Sequence, residues 1–174
     1  MGLIHIYTGD GKGKTTASLG LSLRALGWGK KVCMIQFLKG YSEIGEMKFA
    51  EKWDNFSLFQ FCETKKRDID ENDVTARKKY AENALNFARN IVLSDEYDLI
   101  VLDEINCALH YDLINMWDVI NLLKELKENY KCELVLTGRN AKPEIIALAD
   151  YVTEMKCIKH PFEKGIPARK GIDY

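Results

Sequence analysis

The 174-residue chain is 47% hydrophobic and 29% charged, with a formal net charge of −1. That composition fits a soluble globular domain with a real core and excludes a disordered chain. So even a charge balance gives no reason to expect nucleic acid or an anionic membrane as partner. No stretch approaches the ~20 apolar residues of a membrane span and no leader precedes the first apolar run, so a cytoplasmic protein is expected.

The first element is the apolar run Leu3-Ile4-His5-Ile6-Tyr7, read as a strand in which His5 is simply packed. Thr8-Gly9-Asp10-Gly11-Lys12-Gly13-Lys14-Thr15-Thr16 follows, and Ala17 to Leu26 reads as a helix ended by Gly27-Trp28-Gly29. Lys31 to Phe37 is a second buried strand, running into a loop, Leu38 to Ser42, at a carboxyl edge where ligands collect in open α/β sheets. Glu43 to Lys52 is a short helix, and Phe56 to Phe61 alternates like a strand. Residues 63–73 are the most polar stretch, read as a solvated loop or a mobile loop over the substrate.

From Val74 to Leu93 apolar residues recur at helical spacing, with Asp73 placed to cap. Leu99 to Leu102 is a short strand ending in Asp103-Glu104, and Met116 to Leu126 carries an amphipathic helical pattern. Glu133 to Thr137 is a strand ending in Gly138-Arg139-Asn140; Pro143 opens a helix to about Leu148. Tyr151 to Met155 is a final strand, and Lys156 to Tyr174 an irregular tail. The five cysteines (Cys33, Cys62, Cys107, Cys132, Cys157) form no C-x-x-C pair, which argues against structural zinc or a disulfide framework. Cys33 and Cys132, in strand-like runs, are expected to be buried. Alternating strands and helices imply an α/β fold: one doubly wound, mainly parallel sheet with helices on both faces, residues 1–174 forming one domain.

Strand, glycine-rich turn and helix is the context of a phosphate-binding loop. Its glycines let backbone N–H groups turn inward, and the helix N-terminus adds partial positive charge. Lys14 is placed to reach phosphates and Thr15 to offer its hydroxyl to Mg²⁺. Thr8 stands where the usual pattern has its first glycine. The carboxylates Asp103 and Glu104 end the second strand such a protein needs, beside the first, where acid groups hold Mg²⁺ directly or through water. These residues predict a nucleoside triphosphate site on a phosphate-loop NTPase-type fold.

Four segments together resemble the ATP:corrinoid adenosyltransferases of the phosphate-loop type, the CobA/CobO/BtuR group: Tyr7 to Thr16, Gln36-Phe37-Leu38-Lys39-Gly40, Val101 to Asn106, and Leu136 to Asn140. The tail adds Glu154-Met155-Lys156, Lys159-His160-Pro161-Phe162, Gly165-Ile166 and Gly171-Ile172-Asp173-Tyr174. Thr8 in place of the first glycine is characteristic of that family. The resemblance implies transfer of the 5′-deoxyadenosyl group of ATP to the Co(I) centre of a corrinoid, with release of triphosphate. ATP lies reversed relative to most phosphate-loop proteins, with C5′ toward the corrin.

The resemblance further implies that Gly9, Asp10, Gly11, Lys12, Gly13, Lys14, Thr15 and Thr16 bind the nucleotide. Thr15 and Glu104 would ligate Mg²⁺, with Asp103 behind them. Lys14, Glu104 and Arg139 would carry the chemistry, Arg139 gripping the triphosphate through its planar guanidinium. Asn106 and Tyr111 are candidates for the corrin side, His110 and His160 for site-adjacent places. The implied partners are ATP, a reduced corrinoid and a reductase or flavodoxin-type electron donor, within a homodimer. The family carries an N-terminal extension that helps close the site, whereas seven residues precede Thr8 here. It also has an aromatic pair against the corrin; the corresponding stretch, Phe59 to Thr64, has no Trp, and Phe61 is the aromatic available. A kinase or NTPase and a non-catalytic ATP- or corrinoid-sensing module are the alternatives on the same residues.

Overall fold

The computed structural model describes residues 2–40, 43–62, 73–129 and 131–174. All six expected strands form: β1 (Ile4–Thr8), β2 (Val32–Phe37), β3 (Phe56–Phe61), β4 (Leu99–Asp103), β5 (Glu133–Thr137) and β6 (Tyr151–Glu154). The helices are α1 (Lys14–Gly27), α2 (Gly45–Ala50), α3 (Val74–Ser94), α4 (Ile105–His110), α5 (Met116–Asn129) and α6 (Pro143–Ile146). Asp73 caps α3 as expected, its Oδ1 accepting from the Ala76 N–H at 2.9 Å. Several elements differ from expectation, α2 (Gly45–Ala50) and α6 (Pro143–Ile146) being shorter than read. Helix α1 begins at Lys14, three residues before the apolar pattern does; α4 has no apolar period long enough to announce it; and the tail contains a 3₁₀ turn, Pro161–Lys164. Residues 63–72, including Glu63 and Thr64, and Tyr41-Ser42 lie outside the described residues.

The strands form one sheet in the order β3-β2-β4-β5-β1-β6, every neighbouring pair parallel. The chain winds outward through β1, β2 and β3 with α1 and α2 on one face, then returns through β4, β5 and β6 with α3 to α6 on the other. A constant crossover hand requires that change of face when the direction reverses. Side-chain alternation divides the core accordingly. Ile4, Ile6, Cys33, Ile35, Ile100, Leu102, Leu134 and Leu136 face α3 to α6. Val32, Met34, Leu99, Val101 and Val135 face α1 and α2.

Helix α1 buries one of its four leucines, Leu26. Its buried stripe is Lys14, Ser18, Ser22 and Leu26, at every fourth residue. Ser18 and Ser22 donate their hydroxyls to the Thr15 and Ser18 carbonyls, so small side chains reach the sheet without an orphaned polar atom. Leu23, by contrast, is 59% exposed. His5 is packed as expected, stacked on Tyr151 at 4.6 Å with its Nε2 2.8 Å from Glu133 Oε2.

At the opposite edge from the phosphate loop, aspartates tie down strand starts. Asp150 Oδ2 accepts from the Ile4 N–H at 2.8 Å and Oδ1 from Lys127 Nζ at 2.9 Å. Asp98 does the same for the Lys31 N–H and Lys30 Nζ. The Ile4 amide holds the Asp150 carboxyl below its ordinary 3.8 against the opposing effect of burial, with Lys127 adding to the downward shift. A depressed folded-state value contributes stability above the ordinary carboxylate range, and that contribution is lost as pH falls through the folded value. Asp150→Asn keeps an acceptor for the Ile4 N–H but cannot titrate. Its stability deficit, measured by urea denaturation, is therefore expected at pH 6 and should shrink as pH falls below the ordinary carboxylate range; a deficit independent of pH would contradict this.

Candidate active site

A parallel sheet brings every strand's carboxyl end to one edge, and the buried polar residues collect there. Thr8, Gln36, Asp103 and Thr137 are strand-end residues, and Lys14 and Asn106 lie in the first turns of α1 and α4; all six are buried. In the loop from Gly9 to Gly13, Gly9 (φ 95°) and Gly13 (φ 118°) adopt left-handed backbone, which glycine accepts without strain. The tail presses on this loop. The Gly11 N–H donates to the Met155 carbonyl at 2.7 Å, and a Cβ on Gly9 would lie 2.5 Å from that oxygen. Lys14 Nζ donates to the Gly9 and Gly11 carbonyls, both at 2.7 Å, cinching the loop into a ring. Burial lowers the Lys14 pKa, and Glu104 opposes that shift.

Asp103 is fully buried and accepts four hydrogen bonds. Its Oδ1 takes the Thr15 hydroxyl at 2.9 Å and the Thr137 hydroxyl at 2.7 Å. Its Oδ2 takes Gln36 Nε2 at 3.2 Å and Lys39 Nζ at 2.7 Å. Gln36 is itself oriented by Gln60 Nε2, which donates to Gln36 Oε1 at 2.8 Å. A carboxylate offers about four lone-pair positions, so Asp103 has none left for a metal. It holds Thr15 in place instead.

Glu104 sits beside it in left-handed backbone (φ 66°), its N–H donating to Thr137 Oγ1 at 3.0 Å. That conformation turns the Glu104 side chain away from Asp103, and Oε2 accepts from the Cys107 thiol at 2.8 Å. Burial, then Glu104, pushes the Cys107 thiol up to about 12, so it stays a donor and offers no thiolate. The Arg139 N–H donates to Cys107 Sγ at 3.3 Å. Gly138 (φ 128°) admits this contact, since a Cβ there would fall 2.9 Å from the Cys107 nitrogen. The exposed Arg139 guanidinium reaches back over the loop, its Nε 4.0 Å from Asp10 Oδ1.

The expected site residues therefore meet at one edge: the loop from Gly9 to Thr16, Asp103, Glu104 and Arg139. Sequence reasoning passed over Lys39 and Cys107. Lys39 lies in Gln36 to Gly40, one of the segments that carry the resemblance, and a cation two residues past a buried strand end is its signal in the sequence. Burial works against the Lys39 charge, yet Asp103, Glu104 and Glu46 outweigh it and raise its pKa. Asn106 is buried, its Oδ1 and Nδ2 without partners, against the Gly138 turn. Tyr111 is exposed, with the Arg77 guanidinium 5.4 Å from its ring centre. Phe61 leans on Phe87 at 5.2 Å, within the core under α3. His160 accepts from the Phe162 N–H and caps the 3₁₀ turn.

A cavity of about 480 Å³ opens beside Thr15, Thr16 and Lys39. Its lining includes the apolar Leu19, Phe49 and Phe56 and residues 171–174 of the tail.

Residues 1–174 match the family described as ATP:corrinoid adenosyltransferase BtuR/CobO/CobP. The chain belongs to that family. A corrinoid adenosyltransferase from a Sinorhizobium species is 40% identical over 99% of the chain and 80% of its own length. One from Escherichia coli K12 is 34% identical over 99% of the chain and 86% of its own length. Among solved structures, a KaiC-like protein, PH0186, from Pyrococcus horikoshii OT3 superposes with a TM-score of 0.60 at 16% identity, covering 90% of this chain and 73% of the other. That likeness supports the phosphate-loop NTPase-type fold of this family member. Among the described residues, no helix is long and apolar enough to cross a membrane, and no three His, Cys, Asp or Glu group as metal ligands.

Breaking a buried ion pair by removing one partner costs about 3–5 kcal/mol. Asp103→Ala, which strands Lys39, is expected to lose stability on that scale in urea denaturation. A loss below about 1 kcal/mol would mean that surface-like screening reaches the site.

Proposed function

We propose that the chain transfers the 5′-deoxyadenosyl group of ATP to the Co(I) centre of a corrinoid, releasing triphosphate, in the making or salvage of adenosylcobalamin. What carries the reading is the buried carboxylate of Asp103, which locks Thr15 of the loop to the ends of β2 and β5 in a chain matched to this family from end to end. In this reaction the Co(I) electron pair forms the Co–C5′ bond, and the C5′–O5′ bond breaks with its pair leaving on triphosphate. The chain needs no nucleophile of its own, in keeping with a Cys107 thiol held protonated.

The loop amides of Gly9 and Gly13, the Lys12 and Lys14 ammonium groups and the Thr16 hydroxyl bind the triphosphate, while the Gly11 N–H, expected to join them, is given to the Met155 carbonyl. Arg139 covers it from the β5 side. Their charge is worth most in the transition state, when the departing oxygen becomes negative. Thr15 and Glu104 offer the hard oxygens that suit Mg²⁺, with phosphates and water completing its shell. Bound there, the ion would neutralise charge on the leaving triphosphate. The division of labour follows from the saturation of Asp103: the neighbouring Glu104 is the carboxylate with an oxygen to give. The nucleoside half lies in the cavity beside Thr15 and Thr16, where Leu19, Phe49 and Phe56 suit a purine better than a phosphate. A reductase or flavodoxin-type donor supplies Co(I), the setting is cytoplasmic, the assembly is a homodimer, and residues 1–174 act as one domain.

The test is an anaerobic assay with chemically reduced Co(I) cobalamin and MgATP, following the cobalt–carbon product by its visible spectrum and identifying the phosphate product. Adenosylcobalamin with triphosphate is expected. ADP or orthophosphate without a cobalt–carbon bond would establish a kinase or NTPase, and binding of both ligands without product a sensing module. Lys14→Ala should lower kcat/KM for ATP about a hundredfold or more with the fold intact by circular dichroism. Glu104→Ala should raise the Mg²⁺ concentration for half-maximal turnover about tenfold. Unchanged Mg²⁺ dependence would remove Glu104 from the metal.

A further inference from the structure

The last six residues return to the phosphate loop. Asp173 Oδ1 lies 3.0 Å from Lys12 Nζ, which also donates to the Ile172 carbonyl at 3.4 Å. The other oxygen, Oδ2, accepts from the Arg169 backbone N–H at 2.9 Å and from its Nε at 3.2 Å. Within this turn the Asp173 N–H donates to the Arg169 carbonyl at 2.8 Å, and the Gly171 N–H to the Tyr174 carbonyl at 2.8 Å. Residues 169–174 are thus a compact unit with internal hydrogen bonds. Its other end reaches α2's side of the cavity, Lys170 Nζ standing 3.6 Å from Glu43 Oε2. Between those two ties, Gly171, Ile172, Asp173 and Tyr174 form one wall of the cavity that begins at Thr15 and Thr16.

We propose that residues 169–174 are a latch over the nucleotide cavity, closed by Asp173 on Lys12 and opened when a triphosphate takes Lys12. The inference rests on the phosphate-site reading above. Asp173 is the chain's own anion on a loop cation, in the place a phosphate oxygen would claim. Bonds from Lys12, then Arg169, hold its carboxyl down to about 2, so it is ionised at any working pH. Sharing one ammonium between Asp173 and a polyanion is disfavoured, because the two anions held beside each other repel. The compact turn moves as a body, so losing Lys12 frees the whole wall rather than one side chain. Both ties are exposed ion pairs, with Lys12 46% and Lys170 67% exposed. Such pairs contribute little and are screened by salt, as a latch that must open requires. The turn lines the same cavity as the apolar Leu19, Phe49 and Phe56. Because coupling is reciprocal, whatever opens the latch must also tighten nucleotide binding.

The experiment uses the full chain and two probes, MgATP and inorganic triphosphate with Mg²⁺. Release of Tyr174 by carboxypeptidase is timed by mass spectrometry, and binding is measured by calorimetry. Either probe is expected to speed release of Tyr174 at least about threefold. Asp173→Asn should show the fast release without ligand and bind MgATP about three- to tenfold more tightly, as loss of a competing internal anion predicts. Asp173→Glu, which keeps the charge, should behave like the parent chain. Release that slows or stays constant on MgATP binding overturns the latch, as does an Asp173→Asn variant that binds MgATP no more tightly. A parent chain that binds neither probe in the calorimeter overturns the phosphate-site reading itself, and is thereby told apart from failure of the latch alone.

Discussion

A carboxylate removed from water must be answered by a charge and by dipoles, or it does not stay ionised. Asp103 is answered by one ammonium and three dipolar donors, from α1, β2, the β2 loop and β5. None of those segments is adjacent to another in sequence except β2 and its loop. This single requirement therefore fixes the relation of the phosphate loop to three strand ends, and it places β4 between β2 and β5 in the sheet. The Thr137 hydroxyl extends the arrangement one step further. It donates to Asp103 and accepts from the Glu104 N–H, so the same network sets the left-handed turn that separates Glu104 from its neighbour.

That separation gives two adjacent acids different work. Asp103, saturated and buried, is a structural anion, whereas Glu104 keeps capacity toward the edge where phosphates arrive. Lys39 and Lys14 show a similar split among the cations, one pinned to Asp103 and the other ringed by loop carbonyls within the field of Glu104. A site of fixed dipoles and paired charges needs little reorganisation when a leaving group becomes negative.

Much of this was legible in the chain. The six strands announced themselves because central parallel strands are buried on both faces and read as apolar runs, and α3 because its apolar spacing and the Asp73 cap agree. The chemistry-bearing segments were legible because glycine, lysine, threonine and paired acids at fixed spacing have few other uses. What escaped reading depended on contacts distant in sequence. Helix α4 is held by tertiary packing over six residues, too few for a period. The role of Asp103 as a hub, and hence of Lys39, appears only once β2 and β5 flank β4. The buried stripe of α1 was not legible for another reason: serines that satisfy their own hydroxyls allow a closer approach to the sheet, and that appears only in the packed structure. The tail read as irregular because its local turns carry no apolar period and its place is set by pairing with residues more than a hundred positions away.

The strand pairings of β1 carry a consequence for how the protein is made. Ile4 pairs with Leu134 and His5 with Tyr151, so the first strand to leave the ribosome has no neighbour until most of the chain has followed it. The β2-β3-β4 portion can assemble earlier, since its partners are nearer in sequence. During synthesis the phosphate loop is thus encoded first and shaped last, when β5 and then β6 close on either side of β1. Through that interval an apolar strand with two open edges is exposed, the condition under which nascent chains most often pair wrongly. A nascent chain stalled before residue 134 would carry every loop residue of the site and none of its geometry.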